Sequence, residues 1–309
     1  MKKILISGIE GFVGTYLAEY LHSRKYKVSG IYFAQPVKRF GKLYQCDIRE
    51  YAAVLKIIRT IKPDAIIHLA AQSSVAQGEK TIKQTFAVNV QGTLNILEAV
   101  KELKIKARII YISSCEVYGQ SNKKLTEQSQ TNPVSFYAMS KLCAEQVCLY
   151  YQRAYNLDIV ILRPFSHTGS GQAEHFIFPR IAKQIAQIEA GMTKPVLKLG
   201  NIKAKRDYSD VQDIVKAYEL ALRRCQSGEI YNITAQKPYS IKQGVEFLIK
   251  LSRQKIKVKI DKKLVRKNDI ALLTGSARKF MRDTGWKPTI GFYKTLSNLL
   301  NYYRTKTER

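Results

Sequence analysis

Acidic residues are scarce in this chain: 24 Asp and Glu stand against 52 Lys and Arg, a formal net charge of +28 over 309 residues. Such an imbalance raises the question of nucleic acid or an anionic membrane surface. The basic residues nevertheless come singly or in short pairs such as Lys123-Lys124 and Lys262-Lys263, without a long basic block or an aromatic-interleaved stripe. No specific nucleic-acid partner is expected, although the general positive field suits a doubly charged nucleotide diphosphate. Cysteine is sparse and unpatterned. Cys46, Cys115, Cys143, Cys148 and Cys225 form an odd set with no CxxC and no Cys/His ligand spacing, so no metal site is expected and a reducing cytoplasm fits. No apolar run approaches the ~20 residues that cross a bilayer as a helix, so no membrane association is expected. The opening Met1-Lys2-Lys3 leads into apolar residues that Gly8 and Glu10 soon interrupt, which reads as a buried strand and not as a targeting segment.

What is present is a chain rich enough in apolar residues, 45 %, to bury a substantial core. Short β-branched runs alternate with helical-period segments, the pattern of a parallel sheet covered by helices on both faces. Strands are expected at Lys3–Ser7, Lys27–Phe33, Ala65–Leu69, Arg108–Ser113 and Ile159–Arg163, each apolar throughout as a doubly covered strand should be. Helices are expected near Val13–Ser23, Tyr51–Ile61, Thr85–Lys104 and Ser135–Tyr155. After Arg163-Pro164 the texture turns to Gly, His, Thr, Ser and Gln, as if the chain left the sheet to build a ligand-facing region. A helix near Tyr208–Leu222 and a strand at Glu229–Ile233 return to the first region. The expected fold is α/β, a doubly wound parallel sheet of Rossmann type with a smaller C-terminal substrate-binding region. Residues 1–165 form the dinucleotide-binding part, rejoined by 208–233, and residues 166–207 and 234–309 form the other.

Directly after the first strand comes Ser7-Gly8-Ile9-Glu10-Gly11-Phe12-Val13-Gly14, glycines every third residue where strand turns into helix. Lack of a β-carbon lets the chain turn tightly and lets backbone N–H groups approach a pyrophosphate, while the helix N-terminus favours the anion. At the end of the second strand an acid would hold a free ribose 2'-hydroxyl. The stretch Ile31-Tyr32-Phe33-Ala34-Gln35 has none, and Lys38 and Arg39 follow, which leans toward the 2'-phosphate of NADP(H) and leaves NAD(H) open. Asp47 either accepts from the adenine amino group or caps the next helix.

Tyr137 and Lys141, in Tyr137-Ala138-Met139-Ser140-Lys141, stand four apart on one expected helix face. A phenol near pKa ~10 is a poor proton shuttle at neutral pH, and an ammonium beside it lowers that value. Ser114, at the carboxyl edge of the fourth strand, is placed to donate to a substrate carbonyl. Glycine loop, Ser114, Tyr137 and Lys141 in this order resemble the extended short-chain dehydrogenases/reductases, doubly wound NAD(P) enzymes with a Ser/Thr, Tyr, Lys set. His68-Leu69-Ala70-Ala71, Asn89-Val90-Gln91-Gly92-Thr93 and Thr284-Gly285-Trp286-Lys287-Pro288 carry the likeness along the chain. By resemblance, Gly8, Gly11, Phe12, Val13, Gly14, Lys38, Asp47, Ile48, Leu69, Ala70 and Ala71, with Tyr137 and Lys141, contact the cofactor. Read without the family, His68 is a core histidine and Trp286 a packing residue.

Arg163-Pro164-Phe165-Ser166-His167-Thr168-Gly169, Pro179-Arg180-Ile181-Ala182-Lys183 and Lys205-Arg206-Asp207-Tyr208-Ser209-Asp210 are similar to motifs of GDP-4-keto-6-deoxymannose reductases. That likeness implies a nucleotide-sugar site lined by Ser166, His167, Lys183, Arg206, Arg266 and Asp269. Guanidinium forks match diphosphate oxygens bidentately. Ser166 replaces the usual Asn and Lys267 the usual Pro of the family motifs, so base or sugar preference differs. Related 4,6-dehydratases carry an acid/base pair near Cys115 and Glu116, of which Glu116 is kept as a candidate catalytic residue. The leading expectation is NADP(H)-dependent reduction of the C4 keto group of a nucleotide-diphosphate 4-keto-6-deoxyhexose, GDP-linked, by a homodimer pairing through the helices at 85–104 and 135–155. The rivals are a 4,6-dehydratase or 4-epimerase with bound NAD(P), and a non-catalytic protein that binds a nucleotide sugar or dinucleotide.

Overall fold

A computed structural model describes residues 2–34, 40–261 and 270–308. The strands, in chain order, are β1 Lys3–Ser7, β2 Lys27–Tyr32, β3 Lys42–Gln45, β4 Ala65–His68, β5 Arg108–Ile112, β6 Ile159–Pro164, β7 His167–Thr168, β8 Val196–Leu199, β9 Lys205–Asp207, β10 Ser209–Asp210, β11 Ile230–Ile233, β12 Pro238–Ser240, β13 Lys257–Ile260 and β14 Leu272–Leu273. The helices are α1 Phe12–Ser23, α2 Tyr51–Ile61, α3 Val75–Lys80, α4 Ile82–Phe86, α5 Gly92–Glu102, α6 Phe136–Tyr155, α7 Ile177–Glu189, α8 Val211–Arg224, α9 Ile241–Lys250, α10 Arg278–Thr284 and α11 Phe292–Thr307.

Seven strands form one parallel sheet in the order β11-β6-β5-β4-β1-β2-β3. The order reverses direction on either side of β1, which opens a crevice at the carboxyl ends of β1 and β4, where open α/β sheets bind ligands. Strands β1, β4, β5 and β6 are buried along nearly all their length because helices cover both faces. On one face Ile4, Ile6, Ile67 and Ile110 pack against Leu17 and Leu21 of α1 and Ile214 and Tyr218 of α8. On the other, Leu5, Ile66, Ile109 and Ile161 pack against α2, α5 and α6. Full burial of such side chains contributes about 1.5–3 kcal/mol each. The predicted strands match these elements to within a residue or so at each end. Strand β3 escaped the reading because its four residues are at most half-buried and carry no apolar run.

The later chain builds a second core in which Phe178, Ile181 and Ile185 of α7 meet Val245 and Leu248 of α9 and Leu296, Leu299 and Leu300 of α11. Small sheets, β10-β7, β12-β9-β14 and β13-β8, tie it together. Strand β11 returns to the edge of the main sheet beside β6, and α8 starts at Val211, where the Asp210 carboxylate accepts from the Gln212 amide at 2.8 Å. The single helix expected over 85–104 is instead α4, one π-turn at Ala87–Gln91, and α5. The extra residue of the π-turn shifts the helix face locally.

Candidate active site

The glycine turn closes on itself. Gly8 sits at φ +73°, and a β-carbon there would come within 2.8 Å of the Ala70 backbone, so only glycine lets the turn lie against the end of β4. At Gly14 a β-carbon would strike the Gly8 carbonyl and come within 2.8 Å of Ile9 Cα, so the helix can start this near to the strand only without one. No side chain caps α1, whose N-cap residue is Gly11. Its first N–H groups and the dipole are therefore offered to an anion, and the cradle fits a dinucleotide pyrophosphate. Leu69 and Ala70 border the turn through their amides, which donate to the Ser7 carbonyl at 3.1 Å and the Ser7 hydroxyl at 3.3 Å. Ala71, half-buried, follows them. Val13 packs on the core, and Phe12 stacks on the His167 ring at 6.4 Å between centroids, joining the cradle to the later region.

The surroundings of Asp47 and Ile48, both expected at the cofactor, are set by local packing. Asp47 does not cap α2, whose N-cap is Glu50; its carboxylate accepts from the Arg49 amide at 3.0 Å and pairs with the Arg49 guanidinium, which holds its pKa down. Ile48 turns its side chain into the core against Gly92. Lys38 and Arg39 lie outside the described residues.

Ser114 follows β5 and begins the short helical turn Cys115–Tyr118, its hydroxyl accepting from the Glu116 amide at 3.2 Å. The start of α6 is pinned by Ser135, which accepts from the Ala138 amide at 3.2 Å, and by Glu79, which accepts from the Phe136 amide at 2.7 Å. Tyr137 is thereby brought close enough to Ser114 for the serine hydroxyl to act on the phenol. Ser114, Tyr137 and Lys141 are all at least nine-tenths buried.

The electrostatics correct the expectation. The Tyr137 phenol is pushed up, not down: burial is the main cause, the Ser114 bond opposes it, and Glu116 and Cys115 add to it. Lys141 Nζ lies 4.5 Å from the centroid of the Tyr111 ring, and burial pulls its pKa to about 8 against the opposing fields of Cys148 and Glu145. The amine lies over the Tyr111 ring, and for Tyr137 the desolvation of a phenolate outweighs the lowering effect of Ser114. His68 is a core histidine as expected: Nδ1 bonds Ser7 at 2.6 Å, Nε2 bonds Thr93 at 3.0 Å, and burial, with Lys141 second, lowers its pKa to about 3.

Asn89 was not singled out as a functional residue. From the π-turn its side-chain amide donates to the Ser140 hydroxyl at 2.8 Å and to the Gln72 carbonyl at 3.1 Å, and Ser140 donates to the Tyr137 carbonyl at 2.7 Å. This chain of bonds fixes the helix turn that carries Tyr137. Asn89 is nearly fully buried, as are Thr85, Thr93 and Asn95 in the same stretch, so its residue type alone did not mark it out.

Among the expected substrate residues, Ser166 and His167 sit beside β10: the Ser166 carbonyl accepts from the Ser209 amide at 2.9 Å, and His167 Nδ1 bonds the Phe165 carbonyl at 3.0 Å. Burial lowers the His167 pKa, opposed by that bond. Arg206 on β9 lies near enough to Cys115 to act on its thiol, which joins it electrostatically to the Ser114 turn. Lys183 on α7 is paired with Glu174 at 2.6 Å, and both remain partly exposed. Arg266 and Asp269 lie outside the described residues.

Comparison with known proteins agrees with this geometry. The GDP-6-deoxy-D-mannose reductase of Pseudomonas aeruginosa is 30 % identical over 308 residues, 99 % of this chain and 98 % of that protein. The GDP-mannose 4,6 dehydratase of Drosophila melanogaster is 29 % identical over 97 % of this chain and 85 % of its own. The solved structure of RMD from P. aeruginosa complexed with NADPH superposes with a TM-score of 0.89 at 30 % identity, covering 99 % of this chain and all of that one. The family model for GDP-mannose 4,6 dehydratase matches residues 5–299, so the chain belongs to that family, within the extended short-chain dehydrogenases/reductases.

Proposed function

We propose that the protein reduces the C4 keto group of a nucleotide-diphosphate 4-keto-6-deoxyhexose, GDP-linked, with NADPH as the donor and NADH also admitted. The observation that carries this reading is the buried pairing of Ser114 with Tyr137 at the carboxyl edge of a sheet whose first strand ends in the glycine cradle. Near-complete mutual coverage with a reductase of this chemistry supports it. When bound, the dinucleotide supplies the hydride that C4 receives. Ser114 holds the C4 oxygen by a hydrogen bond, and Tyr137 gives its Oη proton to that oxygen as the alcohol forms. A phenol held above its ordinary pKa stays protonated, which suits a proton donor. Lys141 would hold the nicotinamide ribose, whose hydroxyls would replace solvation that burial removed. Arg206 and Lys183, with Arg266, serve the nucleotide diphosphate, Asp269 accepts from the ribose hydroxyls, and the diphosphate takes the place of Glu174 on Lys183.

Glu116 favours a second reading. Its carboxylate acts on the Tyr137 phenol and would serve as the acid/base of a 4,6-dehydration. One assay separates the two: stoichiometric loss of NADPH absorbance with a GDP-4-keto-6-deoxyhexose supports reduction, and turnover of GDP-mannose without added cofactor supports dehydration. In either reaction Tyr137→Phe should cut turnover on the order of 100-fold to 10,000-fold with dinucleotide binding kept; unchanged turnover would reject the role.

The division at residues 165, 208 and 233, a homodimer and a cytoplasmic setting belong to the same proposal. Phe86, Met139, Tyr150 and Tyr155 on α4 and α6 are exposed large apolar residues, which supports pairing through these helices. Leu142 and Val147 pack inward instead. Five free cysteines suit a reducing compartment.

A further inference from the structure

Tertiary structure supplies a carboxylate where the second strand lacks one. Glu10, in the glycine turn, accepts from the Phe33 amide through Oε1 at 2.7 Å, which fixes its side chain at the carboxyl end of β2. Phe33's carbonyl is held in turn by Gln45 Nε2 at 3.3 Å, so the edge is tied on both sides. Oε2 of Glu10 is buried without a hydrogen-bond partner, and a buried acceptor without a partner is costly. The carboxyl end of the second strand is where a dinucleotide fold meets the adenosine ribose. A carboxylate there accepts a hydrogen bond from a 2'-hydroxyl and repels a 2'-phosphate.

We propose that Glu10 is the residue of this chain that discriminates between the two nicotinamide dinucleotides, favouring a free ribose 2'-hydroxyl over a 2'-phosphate. The inference rests on the dinucleotide reading of the glycine cradle. It opposes the pull expected of Lys38 and Arg39, and so sets how readily NADH substitutes for NADPH.

The test is binding, without sugar substrate: Kd values for NADH and NADPH on the wild type, Glu10→Gln and Glu10→Lys, with thermal unfolding to verify each fold. Glu10→Gln keeps an acceptor for the Phe33 amide and removes the charge. It should move the NADPH-to-NADH affinity ratio tenfold or more toward NADPH, and Glu10→Lys should move it further; a smaller shift overturns the proposal. A wild-type measurement needs no variant: adenosine 2',5'-bisphosphate should bind less than tenfold more tightly than 5'-AMP, and a larger gain overturns the proposal. If the wild type binds neither dinucleotide, the dinucleotide reading fails and this inference with it, whereas binding of both with unmoved ratios defeats the Glu10 assignment alone.

Discussion

Replacing Lys141 with Met should make the protein more stable at neutral pH while destroying its activity. The amine is buried and its pKa falls from 10.5 to about 8. At ~1.4 kcal/mol per pKa unit, holding the charged form in the folded protein at pH 7 costs about 3 kcal/mol. The contact with the Tyr111 ring returns ~1–2 kcal/mol of this. Met has a similar length, no charge and a side chain that adapts to irregular gaps, so the variant should gain between about 1 and 3 kcal/mol at pH 7. The gain must depend on pH. Between pH 8 and 10.5 the unfolded lysine still binds a proton that the folded lysine has released, so wild-type stability rises with pH through this window. The variant has no such group, and its advantage should shrink across the same window. Urea unfolding at several pH values reads both, with the buried single tryptophan, Trp286, as the fluorescent probe. A wild type more stable than the variant at pH 7, or a difference flat from pH 7 to 10.5, would refute the reasoning.

Gly14→Ala should abolish measurable dinucleotide binding, because the new methyl meets the Gly8 carbonyl and the Ile9 backbone instead of a yielding side chain; isothermal titration with NADPH checks this, and retained affinity counts against the cradle. His68→Gln should flatten the acid limb of the stability profile. His68 has its pKa lowered to about 3, so the wild type loses stability as pH falls below the unfolded value of 6.5, by about 3 kcal/mol between pH 7 and pH 4. Urea midpoints for both proteins at the two pH values measure the difference, and parallel acid losses would mean that His68 is protonated in the folded state.

Much of this molecule was legible in one dimension because its signals are local. A strand covered on both faces must be apolar at every position, so β1, β4, β5 and β6 announce themselves as continuous runs, and the glycine spacing after β1 reports a turn that few other residues could make. The order of Ser114, Tyr137 and Lys141 along the chain pointed to one constellation, and the fold does join Ser114 to Tyr137. Strand β3, half-exposed and short, had no such signature. The π-turn at Ala87–Gln91 was equally hidden, since one inserted residue leaves helical periodicity almost unchanged while it swings Asn89 toward Ser140.

Spacing along a helix determined that Tyr137 and Lys141 share a face, but not where a long flexible amine ends. Packing decided that: Lys141 goes to the Tyr111 ring, and burial governs the phenol. Likewise the sequence showed no acid at the end of the second strand, and the folded chain brings Glu10 there from the glycine turn 23 residues earlier. Periodicity and backbone conformation are set by neighbours in the chain, so the sequence by itself determined the elements and their order. Desolvation and charge fields are set by whatever lies within a few ångströms, and only the tertiary structure decided them.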